Sequence, residues 1–181
     1  MLFEVTINAR IRPMQRGEIY EDVLAGILAQ HSLGSVLGAG SMLLPSGEIG
    51  HCNIEIEVSK FEEATALILA VLEEIGVPKG SKIKECSTGS EIQFGTLEGL
   101  AIYLNYTDLD PEIYENCDPN HVYSELDRLV DGVGKVFNYW EGPNETALYL
   151  YGSSYLQMKA LITEFTQTYP LCQKCRIEQI A

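Results

Sequence analysis

The sequence predicts an α+β protein made of two βαββαβ units in tandem, and three observations predict it. Residues 54–86 recur as 148–180 without a gap at an offset of 94, so that Ile54 falls on Leu148, Ile56 on Leu150, Val71 on Phe165 and Ile83 on Ile177. Both copies carry one pattern: apolar alternation, a Ser-led helical period, a break, then a short strand. The chain of 181 residues is also the right length for two units of about 90 residues, each able to bury a modest core.

In the first unit, residues 1–87, Phe3, Val5 and Ile7 alternate with Glu4, Thr6 and Asn8, the signature of a half-buried strand. A basic, proline-containing loop is expected over 10–16. A helix is expected from Gly17 to Gln30, with Ile19, Val23, Leu24, Ile27 and Leu28 on one stripe. Residues 35–58 read as a hairpin about the turn Pro45-Ser46-Gly47-Glu48. Ser59 with Glu62 forms the pattern of a capping box ahead of the next helix, which stops at Gly76-Val77-Pro78 before a last strand at 82–84.

Residues 88–96, rich in Ser, Gly and Thr, read as a linker. The second unit, 97–181, opens with Leu100, Ile102 and Leu104 alternating with Ala101, Tyr103 and Asn105. A long acidic loop follows. Asp118 then caps a helix whose first position is Pro119, with Val122, Leu126, Leu129 and Val130 on its inner stripe. A hairpin turning at Gly142-Pro143-Asn144, a helix led by Ser154 and a strand at 175–180 complete the unit. This order is that of a duplicated ferredoxin-like sandwich, a four-stranded antiparallel sheet with both helices on one face.

The alternation sends Leu100, Ile102, Leu104, Leu148 and Leu150 toward the helices. It leaves Tyr103, Asn105, Tyr149, Tyr151, Asn138 and Trp140 on the other face. Nine of the ten tyrosines lie in the second half, so the two copies differ in surface chemistry. Aromatics on such strands stack bases in RNA-recognition folds. Here the necessary basic residues and the glycine-rich aromatic signature are missing, and no nucleic-acid partner is expected. The rings instead suit a protein partner, the other repeat or a second copy in a homo-oligomer.

Net charge is −14. Residues 91–181 hold 14 acidic against 5 basic side chains, and 106–131 hold eight acids against Arg128 alone. This field repels phosphate backbones and attracts basic surfaces. Asp108, Asp110, Glu112 and Glu115, with Tyr103, Asn105, Trp140, Tyr149 and Tyr151, are therefore the expected surface for a basic protein partner. No loop of the calcium-binding spacing occurs among these acids.

Cys172 and Cys175 form a lone C-x-x-C. In this topology the connection holding Cys117 and His121 exits at the sheet end where the last strand enters, so these four side chains are candidate zinc ligands. No other cofactor is expected. Motifs for a nucleophile elbow, phosphate loop, dinucleotide fold or zinc protease are absent, and no catalytic residue is assigned.

The segment Arg12-Pro13-Met14-Gln15-Arg16-Gly17 with Val23-Leu24 resembles the strand-to-helix loop of ACT ligand-binding regulators, which share the βαββαβ order. That resemblance implies a small-molecule sensor bound near 12–17. No apolar run approaches the roughly 18–20 residues of a membrane span, and the N-terminus reads directly as a strand, so the cytoplasm is the expected location. The reading that joins acidity, aromatics and absent catalytic motifs is an acidic binding protein without catalysis. Its concrete form is an immunity or antitoxin-like protein blocking a basic nuclease toxin. A zinc-stabilised structural module and the sensor are the alternatives.

Overall fold

The structure is a computed structural model that describes residues 1–181. It forms two compact units, Met1–Thr96 and Leu97–Ala181. The first contains β1 (Leu2–Ile7), α1 (Pro13–Arg16), a π turn (Gly17–Glu21), α2 (Asp22–Gln30), β2 (Gly34–Leu43), β3 (Ile49–Val58), α3 (Phe61–Ile75), β4 (Ser81–Glu85) and β5 (Glu91–Phe94). The second contains β6 (Glu98–Asn105), α4 (Pro111–Asn116), α5 (Pro119–Leu129), β7 (Gly134–Glu141), β8 (Glu145–Gly152), α6 (Tyr155–Thr168), a 3₁₀ turn (Pro170–Cys172) and β9 (Arg176–Gln179).

Strand orders are β2-β3-β1-β4-β5 and β7-β8-β6-β9, every pairing antiparallel. The last strand of each βαββαβ unit thus lies beside its first, and the fold is a tandem ferredoxin-like sandwich. The offset of 94 also relates the observed elements: β3 corresponds to β8, α3 to α6 and β4 to β9. Ile56 and Leu150 are both fully buried, as are Ala64 and Met158, and Ile68 and Ile162.

In the first unit Phe3, Val5 and Ile7 pair with Ile56, Ile54 and Cys52, and all six are buried, as are Leu24 and Leu28 of α2 and Ile68 and Leu72 of α3. The opposite face keeps Glu55 and Glu57 exposed, so β3 alternates as a half-solvated strand should. In the second unit Leu100, Ile102, Leu148 and Leu150 form a core with Val122 and Leu126 of α5 and Met158 and Ile162 of α6.

Four local expectations change. Residues 13–16 are helical, and the chain passes through the π turn into α2 without a break; the Asp22 N–H bonds the Gly17 carbonyl five residues back. Ser59 does not cap α3, whose cap position is Lys60. Its hydroxyl instead donates to the Leu33 carbonyl at 3.2 Å and ties the end of β3 to the start of β2. The acidic loop contains α4, capped by Asp110, whose carboxylate accepts from the Glu112 N–H at 3.1 Å. The linker is not free chain: β5 pairs with β4 as a fifth strand of the first sheet, held partly by a Lys82–Glu91 ion pair at 2.9 Å.

Candidate functional site

The crossover from β6 to α5 gathers the acids and a cavity in one place. Asn105 ends β6 and folds the chain over itself, its side-chain oxygen accepting from the N–H groups of Thr107 and Asp108 at 3.0 and 2.7 Å. The Tyr114 hydroxyl, from α4, accepts from the Leu109 N–H at 3.0 Å, which fixes the loop to the short helix. Lys174 donates to the Asp108 carbonyl at 2.6 Å from the turn before β9. Beneath this loop lies a cavity of about 300 Å³ lined by Leu104, Asn105, Tyr106, Tyr114, Cys117, Pro119, Thr146 and Leu171. Its volume is at the lower end of ligand sites, and its walls are mostly apolar. The Tyr106 and Tyr114 rings stand 6.1 Å apart at 51°.

Asp108, Asp110, Glu112, Glu115 and Asp118 are all exposed along this crossover. Two serve the fold as well as the surface. Asp110 caps α4 and Asp118 caps α5, accepting from the Asn120 N–H at 2.8 Å. Arg128 neutralises Glu125 at 2.5 Å, outside the 108–118 stretch, and its guanidinium holds that carboxyl below the usual range.

The tyrosine face needs correction. Tyr149, Tyr151 and Tyr103 are only 1%, 2% and 4% exposed, so their rings are core and present no surface to a partner. Central strands β6 and β8 are buried on both faces, with Ala101 and Ala147 beside the tyrosines. The Arg176 guanidinium covers the Tyr103 ring at 3.7 Å, Phe137 meets Tyr151 edge-on at 5.4 Å, and Tyr151 runs across Gly99. The alternation of Leu with Tyr and Ala resembled a half-solvated strand, but Tyr and Ala are apolar enough to close over both sides. Of the expected partner residues, Trp140 is half-buried over Gly142, Asn105 lines the cavity, and the carboxylates are exposed.

The zinc ligand set is not gathered either. No three side chains among His, Cys, Asp and Glu converge where they could hold a metal ion. His121 turns its ring edge onto Tyr169 and Phe165 at 5.1 and 5.8 Å, Cys117 lines the cavity, and Cys172 belongs to the core. All five cysteines are free thiols. Burial pushes the Cys172 thiol up to about 12, with the neighbouring Cys175 adding to the rise. A thiol held protonated is a poor nucleophile. In the native protein iodoacetamide at neutral pH should therefore modify exposed Cys86 first and leave Cys52 and Cys172 untouched until denaturant is added. Peptide mass mapping reads this directly.

One polar cluster in the first unit gave no sequence signal. Buried Arg16 donates to Glu21 and Ser41 at 2.5 and 2.7 Å. Cys52 lies 3.8 Å from the same Ser41 hydroxyl, and burial pushes the pKa of both Cys52 and Tyr20 above the ordinary range. The segment 12–17 is thus the start of a helix with Arg16 turned inward, not an open strand-to-helix loop.

No protein-family model and no curated protein matches the chain. Among solved structures it is similar to the first two RRM domains of the yeast poly(U) binding protein, at 11% identity and a TM-score of 0.27, over 100% of this chain and 99% of that one. It is also similar to the regulatory subunit of aspartate kinase from Thermus thermophilus, at 10% identity and a TM-score of 0.28, over 90% and 91%. A third likeness is to TiaS in complex with a tRNA, at 12% identity and a TM-score of 0.35, over 90% of this chain and 56% of that one. Scores this low carry no inference about function.

Proposed function

We propose that this protein is a non-catalytic acidic binding protein that holds a basic protein partner through its second unit. The observation that carries the reading is the row of exposed carboxylates, Asp108, Glu112 and Glu115, beside an apolar cavity with Tyr106 standing 62% exposed at its wall. An aromatic at a cavity with charge around it is the composition of an interface anchor and its rim. The docking surface is accordingly the 105–118 crossover with Trp140, without the buried tyrosines. The finer reading is an immunity-like role: carboxylates placed where a basic nuclease would take nucleic acid.

The test is capture of the bound protein from native cells, its identification by mass, and its association rate with purified chain across ionic strength. Opposite charges steer encounter, so the on-rate should fall steeply as salt rises. Asp108→Lys with Glu115→Lys should lower the on-rate by about 10-fold or more at low salt and leave dissociation nearly unchanged. Asp110 is kept out of the pair because it caps α4. An on-rate indifferent to salt and to these reversals would overturn the reading. Failure of a captured nuclease to be inhibited would overturn only the immunity-like form.

A further inference from the structure

We propose that the outer edge of β2 is a homodimer interface, where two copies of this chain join their first sheets antiparallel about a two-fold axis at Gly40. This edge belongs to the first unit, the acidic crossover to the second. β2 is the outermost strand of its sheet and pairs with β3 on one side. An edge strand leaves a row of backbone N–H and C=O groups ready to accept another strand, and proteins blunt such edges with charge, proline or short length.

The other three edges of the two sheets are blunted. β5 and β9 are each four residues long, and β9 carries Arg176 and Glu178. β7 carries Lys135 and Glu141. β2 carries no charge and no proline and is long; the one blunting feature on it is a bulge at Leu37, between the residues that pair with Ile56 and Glu55. The strand runs for ten residues, GSVLGAGSML, without an ionisable group or proline, in a chain holding 38 charged side chains (26 acidic, 12 basic). Leu37, Met42 and Leu43 stand 55%, 53% and 60% exposed along it.

The sequence of the edge is self-complementary about Gly40. An antiparallel pairing centred there sets Gly38 of one copy opposite Met42 of the other and Ala39 opposite Ser41, and brings Leu37, at the bulge, to the neighbourhood of Leu43. Large side chains therefore meet a glycine or each other, and each contact occurs twice, as an isologous interface requires. The irregularities of β2 fall at Val36/Gly38 and Met42/Leu43, in its ladder to β3, and leave 38–42 regular between them. Charge selects the occupant. A basic strand would find no carboxylate on β2, whereas a second copy meets an uncharged edge and brings no buried charge. Two chains of −14 nevertheless repel at a distance, so salt should tighten the dimer, the opposite of its effect on a basic partner.

Sedimentation equilibrium of the full chain at about 50 mM and about 500 mM NaCl tests this, since screening over those concentrations shortens the Debye length severalfold. Wild type should approach twice the 20.1 kDa monomer mass, more completely in high salt. Leu37→Lys and Met42→Lys, both at exposed positions, should fold by circular dichroism and weaken the dimer at least about 10-fold, because the two-fold axis brings in two lysines. Gly40→Cys gives a positive readout in a Cys86→Ser background. A Cβ at Gly40 meets nothing within 4 Å, and directly opposed residues lie at Cα separations of about 4.5–5.5 Å, within disulfide range. Mild oxidation should then yield a covalent dimer that the parent does not form. Monomeric wild type at both salt concentrations, a dimer that loosens with salt, or one untouched by Leu37→Lys would each overturn the proposal. None of these results bears on the basic partner.

Discussion

Tyr151→Ala should destabilise the chain by about 3–5 kcal/mol, the range for removing a buried large side chain. The ring is 2% exposed, meets the edge of Phe137 at 5.4 Å and lies against Gly99, where an added Cβ would sit 2.8 Å from a ring carbon. Truncation leaves a cavity with the Gly99 backbone on one side, and backbone relaxes less readily than side chains. Domain stabilities are of order 5–15 kcal/mol, so the loss is a large share of the whole. The measurement is the urea midpoint, with Tyr106→Ala as the contrast. That ring is 62% exposed, and its loss should move stability by about 0.5 kcal/mol or less. Equal midpoints for the two variants would mean that Tyr151 is not buried in solution. The same burial bears on the partner: weaker binding by a Tyr149 or Tyr151 variant would report unfolding before it reported a lost contact.

Gly95→Ala should cost about 2–5 kcal/mol, from left-handed backbone strain and a clash together. Gly95 has φ 96°, and a Cβ there would lie 2.2 Å from the Pro78 carbonyl oxygen, a backbone atom that β4 holds in place. Gly89 supplies the control within the same stretch. Its φ is 75°, yet a Cβ would meet nothing within 4 Å, so Gly89→Ala should cost only about 1–2 kcal/mol of conformational strain. The difference between the two thermal midpoints isolates the close approach of Gly95 to Pro78. Two variants of equal stability would indicate that residues 88–96 are the free linker their composition suggests, with β5 unpaired.

The sequence by itself determined the architecture, because architecture is written in periodicity. Period-2 alternation at Phe3-Val5-Ile7 and Leu100-Ile102-Leu104, helical stripes at Ile68 and Ile162, and the gapless offset all follow from local geometry repeated twice. The caps of α5 and α6, at Asp118 and Ser154, were legible for the same reason: a cap bonds within three residues of itself. Ser59 shows where that logic stops. It has the right neighbour at Glu62, but Leu33, distant in sequence, takes its hydroxyl.

Only the tertiary structure decided which face of the second sheet is closed. Alternation separates the two sides of a strand, but whether the second side meets water depends on what packs there, and a strand carries no record of that. Tyr103, Tyr149 and Tyr151 are therefore set by alternation on the face away from the helices, with a partner, the other repeat or a second copy all able to cover them, and they are buried within the chain itself. The cysteines and His121 were likewise placed at one end of the sheet by topology, which fixes positions to within a loop. Coordination needs side-chain directions fixed far more closely, and here those directions send His121 onto Tyr169 and Cys172 into the apolar core. The acids 108–118 kept their expected exposure because charge itself enforces it: carboxylates without buried partners stay in water wherever the fold carries them.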